Sequence, residues 1–135
     1  MIVRREIRVQ GLSEPISHYT DAVRFGRLLF ISGCASLNSR QEVVGVGDLE
    51  MQVEQAFKNL EEILVAADAN FSDVLKVTLF MTDCSKRTIV TPIRQRYFKE
   101  SRPASTLIGV SGLAFPDLEF EIEAVARLRL LRRFR

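Results

Sequence analysis

The chain has 135 residues, of which 47% are hydrophobic and 27% charged, and its formal net charge is +2. These values fit one globular domain, and no apolar run approaches the roughly 18 residues needed to cross a bilayer. The N-terminus, Met1-Ile2-Val3-Arg4-Arg5-Glu6, has no apolar stretch behind its basic pair, so no secretory leader is expected and the protein is expected in the cytosol.

Cys34 and Cys84 are too few for a disulfide framework and read as reduced packing residues. A single histidine, His18, rules out a multi-histidine zinc cluster, and no Gly-x-Ser-x-Gly elbow is present for a Ser-His-Asp hydrolase. Five arginines (Arg127, Arg129, Arg132, Arg133 and Arg135) lie in the last nine residues, so the whole chain at +2 leaves −3 on the rest. A basic tail can touch polyanions, but solvated arginines at a strand end are the simpler expectation.

In chain order, residues 2–9 alternate imperfectly and suggest an edge strand, and 11–17 form a loop. Residues 18–25 and 28–33 read as two strands around a turn at Gly26, the second apolar on both faces and therefore central. Residues 38–47 form a polar loop whose Gly45-Val46-Gly47 lacks the lysine and third glycine of a phosphate loop.

Asp48 is an N-cap for a helix with Leu49, Val53, Ala56, Phe57, Leu60, Ile63, Leu64 and Ala67 on one stripe. Glu50, Glu54, Lys58, Glu61 and Glu62 fall on its wet face, with Glu54 and Lys58 at i,i+4. Val74–Asp83 is a β-rich strand apolar on both faces. Residues 85–99 form a second helix with Ile89, Val90, Ile93 and Tyr97 inward. Pro92 belongs in its first turn, or follows Thr91 as the N-cap. Strand 104–111, a turn at 112–117 and strand 118–128 complete the chain.

The last strand alternates most clearly. Leu118, Phe120, Ile122, Ala124, Ala126 and Leu128 take one face, and Glu119, Glu121, Glu123, Val125 and Arg127 the other. Three carboxylates about 7 Å apart need water, donors or cations around them. The pattern β-β-β-α-β-α-β-β gives an α+β sandwich with about six strands and two helices on one face. The second face is either wet or covered by another subunit.

Ser17-His18-Tyr19-Thr20-Asp21-Ala22-Val23, Leu29-Phe30-Ile31-Ser32-Gly33, Val74 through Asp83, Arg102-Pro103-Ala104 and Glu121-Ile122-Glu123-Ala124-Val125-Ala126 resemble the Rid family. This family is also called YjgF or endoribonuclease L-PSP, the reactive-intermediate imine deaminases. The match runs in register from about residue 8 to 128. The resemblance implies a chorismate-mutase-like protomer, one domain over 1–135, that closes into a homotrimer with small-molecule clefts between subunits. It also implies hydrolysis of an imine or enamine metabolite without metal or organic cofactor. Glu121 is then the catalytic carboxylate, and Tyr19, Ser32, Gly33, Thr91, Ser105, Thr106 and Leu107 are substrate-binding positions. Cys34 would sit near the cleft.

One departure matters. Active relatives in this family carry an arginine after Pro-Ala that forks onto the substrate carboxylate; here that residue is Ser105. The family's helix asparagine stands as Thr91 and its pocket cysteine as Leu107, while Arg102 lies three residues before Ser105. The expected substrate is therefore not a usual 2-imino acid. Alternatives are a non-catalytic binding or regulatory trimer and a ribonuclease or translation inhibitor of the L-PSP type, although nucleic acid is not the expected partner.

Overall fold

The computed structural model describes residues 2–129. Of the basic tail expected at 129–135, only Arg129 falls within them. Six strands form one sheet in the order β1-β2-β3-β6-β4-β5: β1 (Arg4–Ile7), β2 (Ala22–Phe25), β3 (Leu28–Ala35), β4 (Val74–Met81), β5 (Ala104–Gly109) and β6 (Phe120–Arg127). All pairings are antiparallel except β4 with β5. Helices α1 (Leu49–Ala66) and α2 (Arg87–Phe98) complete the expected mixed α+β architecture. The strands read as apolar on both faces, β3 and β4, are interior, and the charged first strand is an edge.

Several boundaries differ from the expectation. β2 begins at Ala22 rather than residue 18, because the Asp21 side chain turns to the first segment of the chain. Its carboxylate accepts from Arg8 Nη1 at 2.6 Å and from the Val9 amide at 2.7 Å. β1 keeps only 4–7, β5 ends at 109, and β6 runs 120–127. The turn between β2 and β3 uses Gly26 at φ +62°, a conformation that disfavours side chains.

Helix α1 forms as its pattern requires. The Asp48 side chain caps the Met51 amide at 3.0 Å. Leu49, Val53, Ala56, Phe57, Leu60, Ile63 and Leu64 are buried against the sheet, and Gln52 joins them, fully buried. Gln52 donates to the carbonyls of Gly45 (3.1 Å) and Asp117 (2.9 Å) and accepts from the Glu119 amide (2.8 Å), which ties the 112–119 loop to the helix. Glu54 is not simply solvated: it pairs with Arg96 on α2 and accepts from the Tyr97 hydroxyl at 3.2 Å. The expected partnership with Lys58 gives way to this link between helices.

Helix α2 starts after a 3-10 turn at Cys84–Lys86, and Pro92 is its sixth residue, not in its first turn. Thr91 is therefore not an N-cap; its hydroxyl donates back to the Arg87 carbonyl at 3.4 Å. The buried stripe is Val90, Ile93 and Phe98, while Ile89 is 38% exposed. Phe98 wins because it completes an aromatic cluster. Its ring stands edge-on to Phe71 at 5.1 Å, and Phe57 stacks on Tyr97 at 5.1 Å.

One apolar core lies between the helices and one sheet face. The alternation expected of strand β6 is present: Phe120, Ile122, Ala124 and Ala126 are buried in that core. On the open face, Phe25, Leu28 and Phe30 are 50%, 39% and 46% exposed, an apolar patch beside Val125.

Candidate active site

The site grows from an irregularity in β3. Ile31 pairs with Ala124 and Cys34 with Ile122, so Ser32 and Gly33 together oppose the single residue Glu123. This is a β-bulge, which bends the strand and re-aims its side chains. The Ser32 hydroxyl donates to the Thr20 carbonyl at 2.6 Å, and its amide to the Asp21 carbonyl at 2.9 Å, fastening the bulge to the 18–21 segment. Tyr19 belongs to that segment. It is 51% exposed, and its hydroxyl accepts from the Ile16 amide at 3.3 Å.

Glu121 comes from β6, between Ala35 on β3 and Phe80 on β4. Its carboxyl lies directly over Gly33: a Cβ there would stand 2.7 Å from the carboxyl carbon and 2.9 Å from each oxygen. A side chain at 33 and a carboxyl at this spot exclude each other. Burial raises the Glu121 pKa above the ordinary carboxylate range, and the negative charge of Glu123 raises it further. A carboxyl tuned upward can take a proton from water and return it near neutral pH.

Tyr19, Ser32 and Gly33 line a cavity of about 70 Å³ with Asn59 and Cys34. The Asn59 amide bonds the carbonyls of Ala35 (2.9 Å) and Leu37 (3.0 Å), so it holds the far end of β3 rather than facing a ligand. Cys34 is buried, and burial with the charges of Glu121 and Asp21 pushes its thiol far upward, so it stays a protonated packing residue.

The remaining expected positions lie elsewhere on the protomer. Thr91 is exposed on α2 and lines a second cavity, of about 610 Å³, with Arg94 and Arg102. Ser105, Thr106 and Leu107 lie on the edge strand β5, all exposed. Thr106 accepts from Lys76 Nζ at 2.8 Å and shares the open face with its β4 partner Thr78. Ser105 and Leu107 pair with the buried Val77 and Leu79, and so take the opposite side. One protomer thus carries two groups of candidate residues: Tyr19, Ser32, Gly33 and Glu121 around the bulge, and Thr91, Ser105 and Leu107 around β5 and α2. Among the described residues no cluster of His, Cys, Asp or Glu is arranged to hold a metal ion.

Sequence patterning could name Glu121 and the Ser32-Gly33 pair but not their contact, which depends on a two-against-one register between β3 and β6. It gave no signal for Arg94, which lines the α2 cavity.

The family profile described as endoribonuclease L-PSP matches residues 11–128. The chain belongs to this family. The human 2-iminobutanoate/2-iminopropanoate deaminase is 33% identical over 93% of this chain and 90% of its own length. A 3-aminoacrylate deaminase from Acinetobacter baylyi is 29% identical over 88% of this chain and 94% of its own. Among solved structures, a putative endoribonuclease from Thermotoga maritima superposes with a TM-score of 0.86 at 32% identity, covering 93% of this chain and 98% of that one. The L-PSP family, also named Rid, therefore includes relatives called deaminases and relatives called endoribonucleases, on the fold described above.

Proposed function

We propose that this protein hydrolyses a reactive imine or enamine metabolite, releasing ammonia, in a cleft between copies of the chain. The observation that carries this reading is the half-buried Glu121 carboxyl seated over Gly33, a residue that lines one cavity with Ser32 and Tyr19. In the reaction, water adds to the C=N carbon and the nitrogen leaves as ammonia, so imine plus water gives ketone plus ammonia. The Glu121 carboxylate takes a proton from the attacking water and delivers it to the departing nitrogen. The balance needs no oxidant, metal or organic cofactor.

Support for the intersubunit cleft comes from incompleteness. The two groups of candidate residues stand apart on one protomer, and the open sheet face exposes Phe25, Leu28 and Phe30. Exposed apolar surface of this kind marks an interaction site, and a homotrimer would cover it while joining one copy's bulge to the next copy's β5. Ser105 favours a second reading, a trimer that binds a small metabolite without turning it over. Coupled turnover separates the two: an amino acid oxidase generates imines in situ, and semicarbazide traps what escapes. The hydrolase is expected to divert imine from the trap. No diversion with any imine or enamine in a broad panel removes the hydrolase reading, and bound metabolite without turnover leaves the binding one.

A further inference from the structure

We propose that Arg94 on α2, assisted by Arg102, is the cation that holds the carboxylate of this protein's ligand, in place of an arginine at position 105. The ligand class, a small imine or ketone that carries a carboxylate, rests on the hydrolase reading and departs from the expectation drawn from Ser105; the choice of cation does not rest on that reading. Lys99 and Arg102 line the same cavity as Arg94, and among the described residues the other cations nearby are engaged. Arg96 pairs with Glu54, Lys86 lies 3.9 Å from Glu119, Arg87 reaches the Cys84 carbonyl, and Lys76 donates to Thr106 and to the Val77 carbonyl.

Arg94 differs. It is half-buried, and loss of water alone lowers its pKa, with no acid offsetting that loss. Its guanidinium lies 6.0 Å from the centre of the Phe98 ring, a cation–π contact that does not occupy the donors. Part of its fork still faces the cavity, where its N–H donors have no protein acceptor among the described residues. An oxyanion binding in the plane of the fork would satisfy them.

The position fits the site. Arg94 follows Thr91 by three residues, so both project from one side of α2. They line the 610 Å³ cavity closed by the 99–103 segment, and Arg102 and Gln95 line it too. Glu100 is the one acid in that lining, and no ion pair joins it to Arg94 among the described residues. Thr91 is the α2 residue that the family resemblance assigns to the substrate, and Ser105, two residues past Pro103, is the second residue of β5. The guanidinium that β5 lacks is therefore supplied from the helix facing the same segment.

The test titrates 2-oxobutanoate, a non-reacting 2-oxo acid, into the full-length protein by calorimetry and runs the imine-trapping assay beside it. Arg94→Gln is expected to weaken 2-oxobutanoate about 10- to 100-fold, the size of a lost charge-assisted contact. Arg94→Lys, which keeps the charge without the fork, should fall between, and Arg102→Gln should lose less. Thermal unfolding confirms that each variant is folded. Undiminished binding by Arg94→Gln, binding lost in Lys76→Met instead, or no binding by the wild type at millimolar ligand overturns the assignment. Arg94-dependent binding without imine turnover keeps the cation and removes the hydrolase; turnover unchanged by Arg94→Gln keeps the hydrolase and removes the cation.

Discussion

The carboxyl of Glu121 occupies the space that a side chain on Gly33 would need. The two residues come from strands β6 and β3, and the β3 bulge brings them into contact. This contact separates function from stability. In Gly33→Ala the obstructing atoms belong to the free end of a flexible side chain, so Glu121 can swing aside without moving backbone. Turnover is expected to fall about tenfold or more, as expected for a displaced proton-transfer group, while thermal unfolding shifts little. A large loss of stability with turnover intact would contradict the role assigned to the pair.

Glu121→Gln tests the carboxyl directly. Burial and Glu123 raise its folded-state pKa above that of the unfolded chain. The folded protein therefore keeps the proton to higher pH, and the charged form costs stability only as pH rises through the raised value. In acid, below the unfolded pKa, wild type and Glu121→Gln should melt alike; at mildly alkaline pH the variant should melt higher. Its turnover should fall about 100-fold or more. The wild-type rate should climb with pH along an acid limb displaced above the usual glutamate range.

Asp73 anchors the last strand. Its side chain is only 1% exposed. It accepts from the Asn70 amide at 3.0 Å, Arg129 Nε at 3.0 Å and Arg127 Nε at 3.4 Å. Both arginines are over half exposed, so the ion pairs count for less than the buried capping bond. Asp73→Ala is expected to cost about 2–4 kcal/mol, read as the loss of denaturant stability. A change below about 0.5 kcal/mol would place the anchoring elsewhere.

Gln52 plays the corresponding part for the loop before β6. Replacing it with leucine keeps a buried side chain of similar length but leaves the Asp117 carbonyl and the Glu119 amide without their Gln52 partner, while the Gly45 carbonyl keeps its bond from the Asp48 amide. About 2–3 kcal/mol should be lost. Hydrogen exchange at Glu119 should quicken more than exchange in the middle of α1.

Phe30 tests the open face. Phe30→Asp puts a charge in the middle of the exposed apolar patch. If copies of the chain cover that patch, the variant should run as a monomer in light scattering, with the wild type at three times its mass. A wild-type monomer would end the intersubunit cleft.

Much of the fold was legible in the residues because periodicity is a local property. Strand β6 announces its two faces every second residue, and the core it buries is the one expected. Helix α1 announces its stripe and its Asp48 cap in the same way. Glu121, Ser32 and Gly33 could be named because they stand inside such patterns and within the family's motifs.

Where a pattern needed a partner it failed. Glu54 looked solvated until α2 brought Arg96 to it. Pro92 looked like a helix start, yet the chain began α2 five residues earlier, after a 3-10 turn. Ile89 yielded its place to Phe98 because the aromatic cluster is assembled from separate elements. Gln52 and Asp73 carried no signal of burial, since a polar side chain is buried only where the fold supplies its hydrogen bonds.

Alternation, caps and element order could thus be read from the residues alone, because each follows from neighbours a few positions apart. The seat of Glu121 over Gly33 could not, and neither could the exposure of Arg94 to a cavity with no acid paired to it. Both depend on register and packing between segments far apart in the chain, and those exist only once it has folded.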